Sequence, residues 1–554
     1  MTRRLPIVLL PLLGVLLVLP ACHQAVRSSE APWDMHRRHV AVVQVPRYVP
    51  LPPHTPQDRN QFDALDEAGF LSPLHDPLSS FSADVDTASY AVVRRFLQDR
   101  SELPPEAAVR LEELINYFQY DYAGPGDATG PDGRPAPLAA DVEVTAAPWA
   151  EDHRLVRVGV QAREMDTEDR PSAHLVFLID VSGSMNSPDK LPLVVDTLTS
   201  MLDWLRPDDR VTVVTYAQRT DTVIRHERVE RDDRIRRRLQ DLTAGGATRG
   251  SRGLDRAYEL AERYADEHGI NRVILATDAD FNEGTTDRDE LIEMVRDRAD
   301  QGISLSILGV GLDNLQDGAM EALTNVGDGD YAYLDDADEA RRTVQRMVTG
   351  GMQVVARDVK LQVEFNPTRV ARYRLLGYEN RALEDHEFDD DDIDAGEVGA
   401  GHQVTALYEV VPLDPADVGD AGELPGQPRT RYTETPELTD AADTDELLTV
   451  RIRYQHPRTQ VDGQWVESPS QLIEHHVVDA GTGLDEASPD TRFAAAAAGF
   501  GMLLRGSDHS GDATWDSVVE LARSGVTSRT DPLRPQLVQL ARTAQRLQSR
   551  SSMR

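Results

Sequence analysis

His174-Leu175-Val176-Phe177-Leu178-Ile179-Asp180-Val181-Ser182-Gly183-Ser184 is the stretch from which the fold of this chain is read. An apolar run of this length, without alternation, predicts a strand buried on both faces, as at the centre of a parallel sheet. Asp180 then falls at the carboxyl edge of that sheet, where ligands of open α/β sheets gather. One carboxylate and two hydroxyls follow at alternate positions: Asp180, Ser182 and Ser184. Hard oxygen donors of this kind suit Mg²⁺, with Mn²⁺ or Ca²⁺ as substitutes. A Mg²⁺ shell holds about six oxygens at about 2.0–2.1 Å, so three side chains leave it incomplete.

Further donors are expected at the ends of neighbouring strands. The run Arg272 to Thr277 (RVILAT) ends in Asp278, and the loop Ala244 to Ser251 (AGGATRGS) presents Thr248 after paired glycines that let the backbone turn tightly. Taken alone, D-x-S-x-S could equally cap a helix, because Asp and Ser satisfy free N–H groups there. The full set of Asp180, Ser182, Ser184, Thr248 and Asp278 resembles the metal-ion-dependent adhesion site of von Willebrand factor type A domains. The resemblance implies that Asp180, both serines and Thr248 surround a divalent cation directly or through water. It implies too that Asp278 acts through water, and that one position stays open for a carboxylate of a partner protein.

Around this stretch, strand and helix patterns alternate from 172 to 350. The predicted strands are Arg210 to Ala217, a short edge Asp221 to Arg225, Arg272 to Thr277, Ser304 to Val310 and Asp330 to Leu334. Alternation with helices of ten or more residues means a doubly wound parallel sheet. Alternating runs also lie just before this region, Ala140 to Thr145 and Arg154 to Ala162, and after it, from Val354 to Phe365 through Leu447 to Tyr454. Such runs are strands with one buried face. The economical arrangement is a type A domain inserted in, or flanked by, a β-sandwich, with helical segments at both ends of the chain.

The expected divisions follow. Residues 1–21 form a signal peptide: Met1-Thr2-Arg3-Arg4 precedes an apolar run that is short for a membrane span and carries Pro6, Pro11 and Pro20. Leu19-Pro20-Ala21-Cys22 resembles a bacterial lipobox, which implies lipidation at Cys22. Cys22 is the only cysteine, so no internal disulfide can form. Residues 22–76 are polar and proline-rich, and are expected to be a disordered tether. A helical region (77–135), sandwich strands (136–171), the type A domain (172–350), a β-rich region (351–485) and a helical segment (486–554) follow. The wording of Pro77 to Tyr122 and of Asp394 to Glu409 resembles bacterial YfbK-like lipoproteins, and with the tail the likeness covers nearly all of the chain beyond the tether.

The 554 residues carry a formal charge of −37, which argues against binding nucleic acid or an anionic membrane surface through bulk charge. The resemblances together imply a lipid-anchored module of the bacterial envelope that captures an Asp or Glu of an unidentified partner protein through Mg²⁺, and resemblance to enterobacterial sorting, with no Asp after Cys22, implies the outer membrane. A structural envelope protein with a purely stabilising metal is the alternative. A metal-dependent hydrolase is a weaker one, since neither a G-x-S-x-G nor a phosphate loop occurs; Glu283 would be its candidate base. No catalytic residue is expected.

Overall fold

The computed structural model describes residues 62, 67–83, 86–166, 170–246, 250–278, 288–311, 317–391, 393, 395–413, 438–461, 464–527 and 529–551. At its centre a six-stranded sheet has the order Thr220–Arg228, Arg210–Tyr216, Ala173–Asp180, Ile270–Thr277, Ile303–Val310, Tyr331–Leu334. All pairings are parallel except that of the first strand, which runs antiparallel along the edge. The apolar run that opened the reading is the third strand of six, and each of its residues is buried. Helices cover both faces: Leu191–Met201 and Ala337–Thr349 pack on one, Gly250–Arg263, Arg288–Ala299 and Asp317–Asn325 on the other.

This domain is inserted in a β-sandwich, as the order of strands predicted. One sandwich sheet pairs Leu138–Ala146 and Arg154–Ala162, which precede the insertion, with Gln403–Pro412 and Val370–Leu375, which follow it. The other is built on Val354–Phe365 and Glu446–Gln455, extended by Gln471–Val478. The two inner faces share one core, with Val156, Val158, Val160, Leu361, Val363, Ala406, Tyr408, Val450 and Ile452 all buried. Where the domain returns to the sandwich, Gly399 lies so close that a Cβ on it would stand 2.2 Å from the carbonyl oxygen of Gly350. Only glycine admits that approach.

Two expectations are corrected at the amino-terminal side. Packed chain begins ahead of Pro77: Leu71 bridges to Tyr373, and Glu67 pairs with Arg374 at 3.1 Å, so the stretch up to 76 is not all tether. Region 77–135 is also not purely helical, because Leu78–Ser82 is a sandwich strand paired with Val354–Phe365. Alternation is weak in LSSFS, which hid it. The amino-terminal helices Ala88–Arg95 and Leu111–Asn116 share a core with the carboxyl-terminal helices Pro489–Arg505, Trp515–Ser524 and Arg534–Ser551. The alanines from Ala494 to Ala498 are all buried there, where small side chains permit close helix packing. Chain ends distant in sequence thus form one helical layer.

Candidate metal centre

Parallel pairing fixes which residues meet at the carboxyl edge. Asp180 is in register with Tyr216 on one side, and Asp278 follows Thr277, the last residue of the strand on the other. Beyond Asp180 the chain turns through a short 3₁₀ segment, Gly183–Asn186, pinned by the fully buried Met185. The loop that leads toward Thr248 is held against it by two backbone bonds: Gly183 N–H donates to Gly246 O at 2.9 Å, and Gly245 N–H to Val181 O at 2.7 Å. Thr248 itself lies outside the described residues, as do Glu283 and Cys22.

Four of the five predicted metal-site residues are described, and they present oxygen atoms in a graded setting. Asp180, Ser182 and Asp278 are buried, while Ser184 is exposed. Asp180 Oδ1 accepts the Ser182 N–H at 2.7 Å, and the two serine hydroxyls lie 2.9 Å apart. Among the described residues, Asp180 Oδ2 and Asp278 Oδ1 are both buried without a hydrogen-bond partner. An orphaned buried carboxylate oxygen costs several kcal/mol unless something positive or donating meets it. Burial accordingly pushes the Asp180 carboxyl up to about 6, with Asp278 adding to the rise and the Ser182 N–H opposing it. The neighbouring Tyr216 phenol is driven up by burial first and by Asp180 second. Two unsatisfied carboxylate oxygens beside hydroxyls are the donor set that a hard divalent cation completes, so these residues fit Mg²⁺.

One charged neighbour was not foreseen. Lys190, at the start of helix Leu191–Met201, places Nζ 2.9 Å from Asp278 Oδ2, with both side chains buried. Its aliphatic stem passes Gly311, where a Cβ would come within 2.3 Å of Lys190 Cε and where φ is +77°. No spacing rule announces such a pair, because the two residues are 88 positions apart. A second unforeseen contact joins the amino-terminal helix to this edge: Arg95 pairs with Asp189, the residue before Lys190, and donates to the Tyr333 hydroxyl at 2.7 Å.

Comparison with known proteins places this architecture. The von Willebrand factor type A domain model matches 174–346, a model described as von Willebrand factor matches 56–157, and that of the carboxyl-terminal part of the uncharacterized protein YfbK matches 350–547. Escherichia coli K12 YfbK is 35% identical over 484 residues, which span 87% of this chain and 81% of that protein. The chain belongs to the YfbK family. Within that family the match runs from the amino-terminal region through the inserted domain to the last helix. Human inter-alpha-trypsin inhibitor heavy chain H2 is 27% identical over 157 residues, covering 27% of this chain and 16% of its own. A solved von Willebrand factor type A protein from Catenulispora acidiphila aligns at 15% identity and TM-score 0.38 over 74% of this chain and 89% of its own, a level that decides nothing.

Proposed function

We propose that this YfbK-family chain is a divalent-cation-dependent protein-binding module of the bacterial envelope, anchored through lipidated Cys22. The observation that carries the reading is a pair of buried carboxylate oxygens, Asp180 Oδ2 and Asp278 Oδ1, which have no hydrogen-bond partner among the described residues at the carboxyl edge of the type A sheet. A bound divalent cation would supply positive charge and an open position that a partner carboxylate can fill. Asp180 supplies the principal negative charge, Ser182, Ser184 and Thr248 neutral oxygens, and Asp278 orients water from the far side. Exposed Ser184 marks the side from which a partner reaches the centre. The type A match supports interaction rather than chemistry as the role of the domain.

The test is calorimetric titration of Mg²⁺ and of Mn²⁺ into the protein, beside Asp180→Ala. Because Glu67 and the backbone of Leu71 are bonded to the body and Phe62 packs on its core, any soluble version must begin ahead of Phe62. Binding that disappears in Asp180→Ala supports the site. Absence of heat and of thermal shift with either metal in the wild-type protein removes the mechanism while leaving the fold intact.

A further inference from the structure

We propose that Lys190 is a built-in counter-charge which weakens the grip of the centre on its cation so that the loaded centre attracts a carboxylate. The inference rests on the metal-site reading above and concerns a residue outside the donor set. Its basis is the contact of Lys190 Nζ with Asp278 Oδ2 at 2.9 Å, at 8% and 3% side-chain exposure. The backbone of Lys190 is fixed as well: its N–H donates to Ser187 O at 3.1 Å and its carbonyl accepts from Val194 at 2.9 Å. The stem lies against Gly311, where a Cβ would stand 2.3 Å from Lys190 Cε. A side-chain nitrogen held in this place belongs to the immediate surroundings of the centre.

Charge arithmetic gives the consequence. Asp180 and Asp278 bring two negative charges and Lys190 one positive, so this trio carries −1. A divalent cation raises that to +1, and an arriving carboxylate brings it to zero. Without Lys190 the same steps run from −2 to zero and then to −1. Asp189, the nearest further carboxylate on this loop, is already paired with Arg95. Whatever other charges the surrounding loops hold, removing Lys190 shifts every state by one unit in the same direction. At an effective dielectric near 20, a unit charge about 4 Å away changes an equilibrium constant by on the order of a thousandfold, and screening by water and salt brings that down toward about tenfold. Lys190 therefore trades metal affinity for carboxylate affinity.

A purely positioning role predicts the opposite sign. If Lys190 only held the Asp278 carboxylate in place, its removal would let that carboxylate wander and would weaken Mg²⁺ binding. The experiment compares wild-type protein with Lys190→Met and Lys190→Gln, the second keeping a donor toward Asp278 without the charge. Calorimetry gives the Mg²⁺ affinity. Relaxation broadening of N-acetylglutamate amide protons by the Mn²⁺-loaded protein gives the carboxylate affinity.

Both neutral variants should bind Mg²⁺ about tenfold more tightly or better, and the glutamate probe about tenfold more weakly. Melting in excess chelator identifies whichever variant remains folded, and one folded variant suffices. Unchanged or weaker Mg²⁺ binding in a folded neutral variant overturns the inference, as does probe affinity within twofold of wild type. If wild-type protein itself binds no divalent cation, the metal-site reading fails first. Normal wild-type binding with indifferent variants sinks this inference alone.

Discussion

Asp180 carries the sharpest electrostatic conflict in the candidate centre: it is fully buried, one oxygen is unmatched among the described residues, and burial pushes its carboxyl up to about 6. In an unfolded chain the same group sits near about 3.9. A folded-state value above the unfolded one means that the metal-free fold holds the proton more tightly than the open chain does. The stabilising contribution is therefore complete below about pH 4 and is lost as pH climbs through about 6. Binding a cation requires that proton to leave. Mg²⁺ affinity is thus expected to rise by up to about tenfold per pH unit below 6 and to level off above it. Calorimetry at pH 5, 6, 7 and 8 at constant ionic strength checks this, and a flat profile would show that Asp180 does not exchange a proton for the metal. At this scale Asp180, Ser182, Ser184 and Asp278 were legible in sequence because strand ends announce them. Lys190 was not, because a lysine ahead of an apolar helix looks like any solvated side chain until the sheet brings Asp278 beside it.

Among the elements, the helix Ala88–Arg95 docks on two cores at once. Its apolar side, with Ala88, Ala91 and Val92, joins the core of the inserted domain, while Tyr90 and Val93 join the core of the terminal helices. Arg94 ties the two together: it pairs with Asp335 and with Glu339 (2.9 Å) and donates to the Tyr117 hydroxyl at 2.9 Å, all nearly out of solvent. Burial pushes the Asp335 carboxyl up to about 6 even with Arg94 beside it. Replacing one partner of a buried ion pair typically costs about 3–5 kcal/mol because the other charges stay behind unpaired. Arg94→Met is expected to lose that much at pH 7 and distinctly less at pH 5, where the abandoned carboxylates can take up protons. Denaturant unfolding at the two pH values measures it, and equal losses at both would contradict the assignment. A helical region in this part of the chain was legible in the sequence. Its two-sided docking was not, since periodicity reports that a face is buried and not which core receives it. Within the region expected to be helical, the chain forms a 3₁₀ turn, Glu106–Ala108, and a short helix, Leu111–Asn116, separated by extended Val109 and Arg110. Arg110 is drawn out of helical geometry toward buried Glu113 and Glu321, a tertiary pull that local propensity cannot register.

Across the whole molecule, the insertion of one domain into another was readable from the order of strand patterns, because strands on both sides of a parallel sheet have no place in it. The union of the first and last helices was hidden, since it depends on contacts between segments more than 350 residues apart, such as Asp490 with the Asp121 N–H. The proposed anchor belongs to this scale. Made with its native leader in a bacterium, the protein is expected to lose residues 1–21 and to carry lipid on Cys22, so that intact-mass measurement finds a heavier, thiol-free amino terminus. A free Cys22 thiol would remove the anchor and leave the metal centre unaffected. The insertion has a mechanical consequence. The inserted domain hangs from the sandwich by two strands, Arg154–Ala162 and Val354–Phe365, and each has hydrogen-bonded neighbours on both sides. Tension applied at the metal edge and resisted at the body would be divided between two interior ladders in separate sheets. Each ladder must slide many bonds at once in shear instead of unzipping them singly, the geometry of a coupling that bears load.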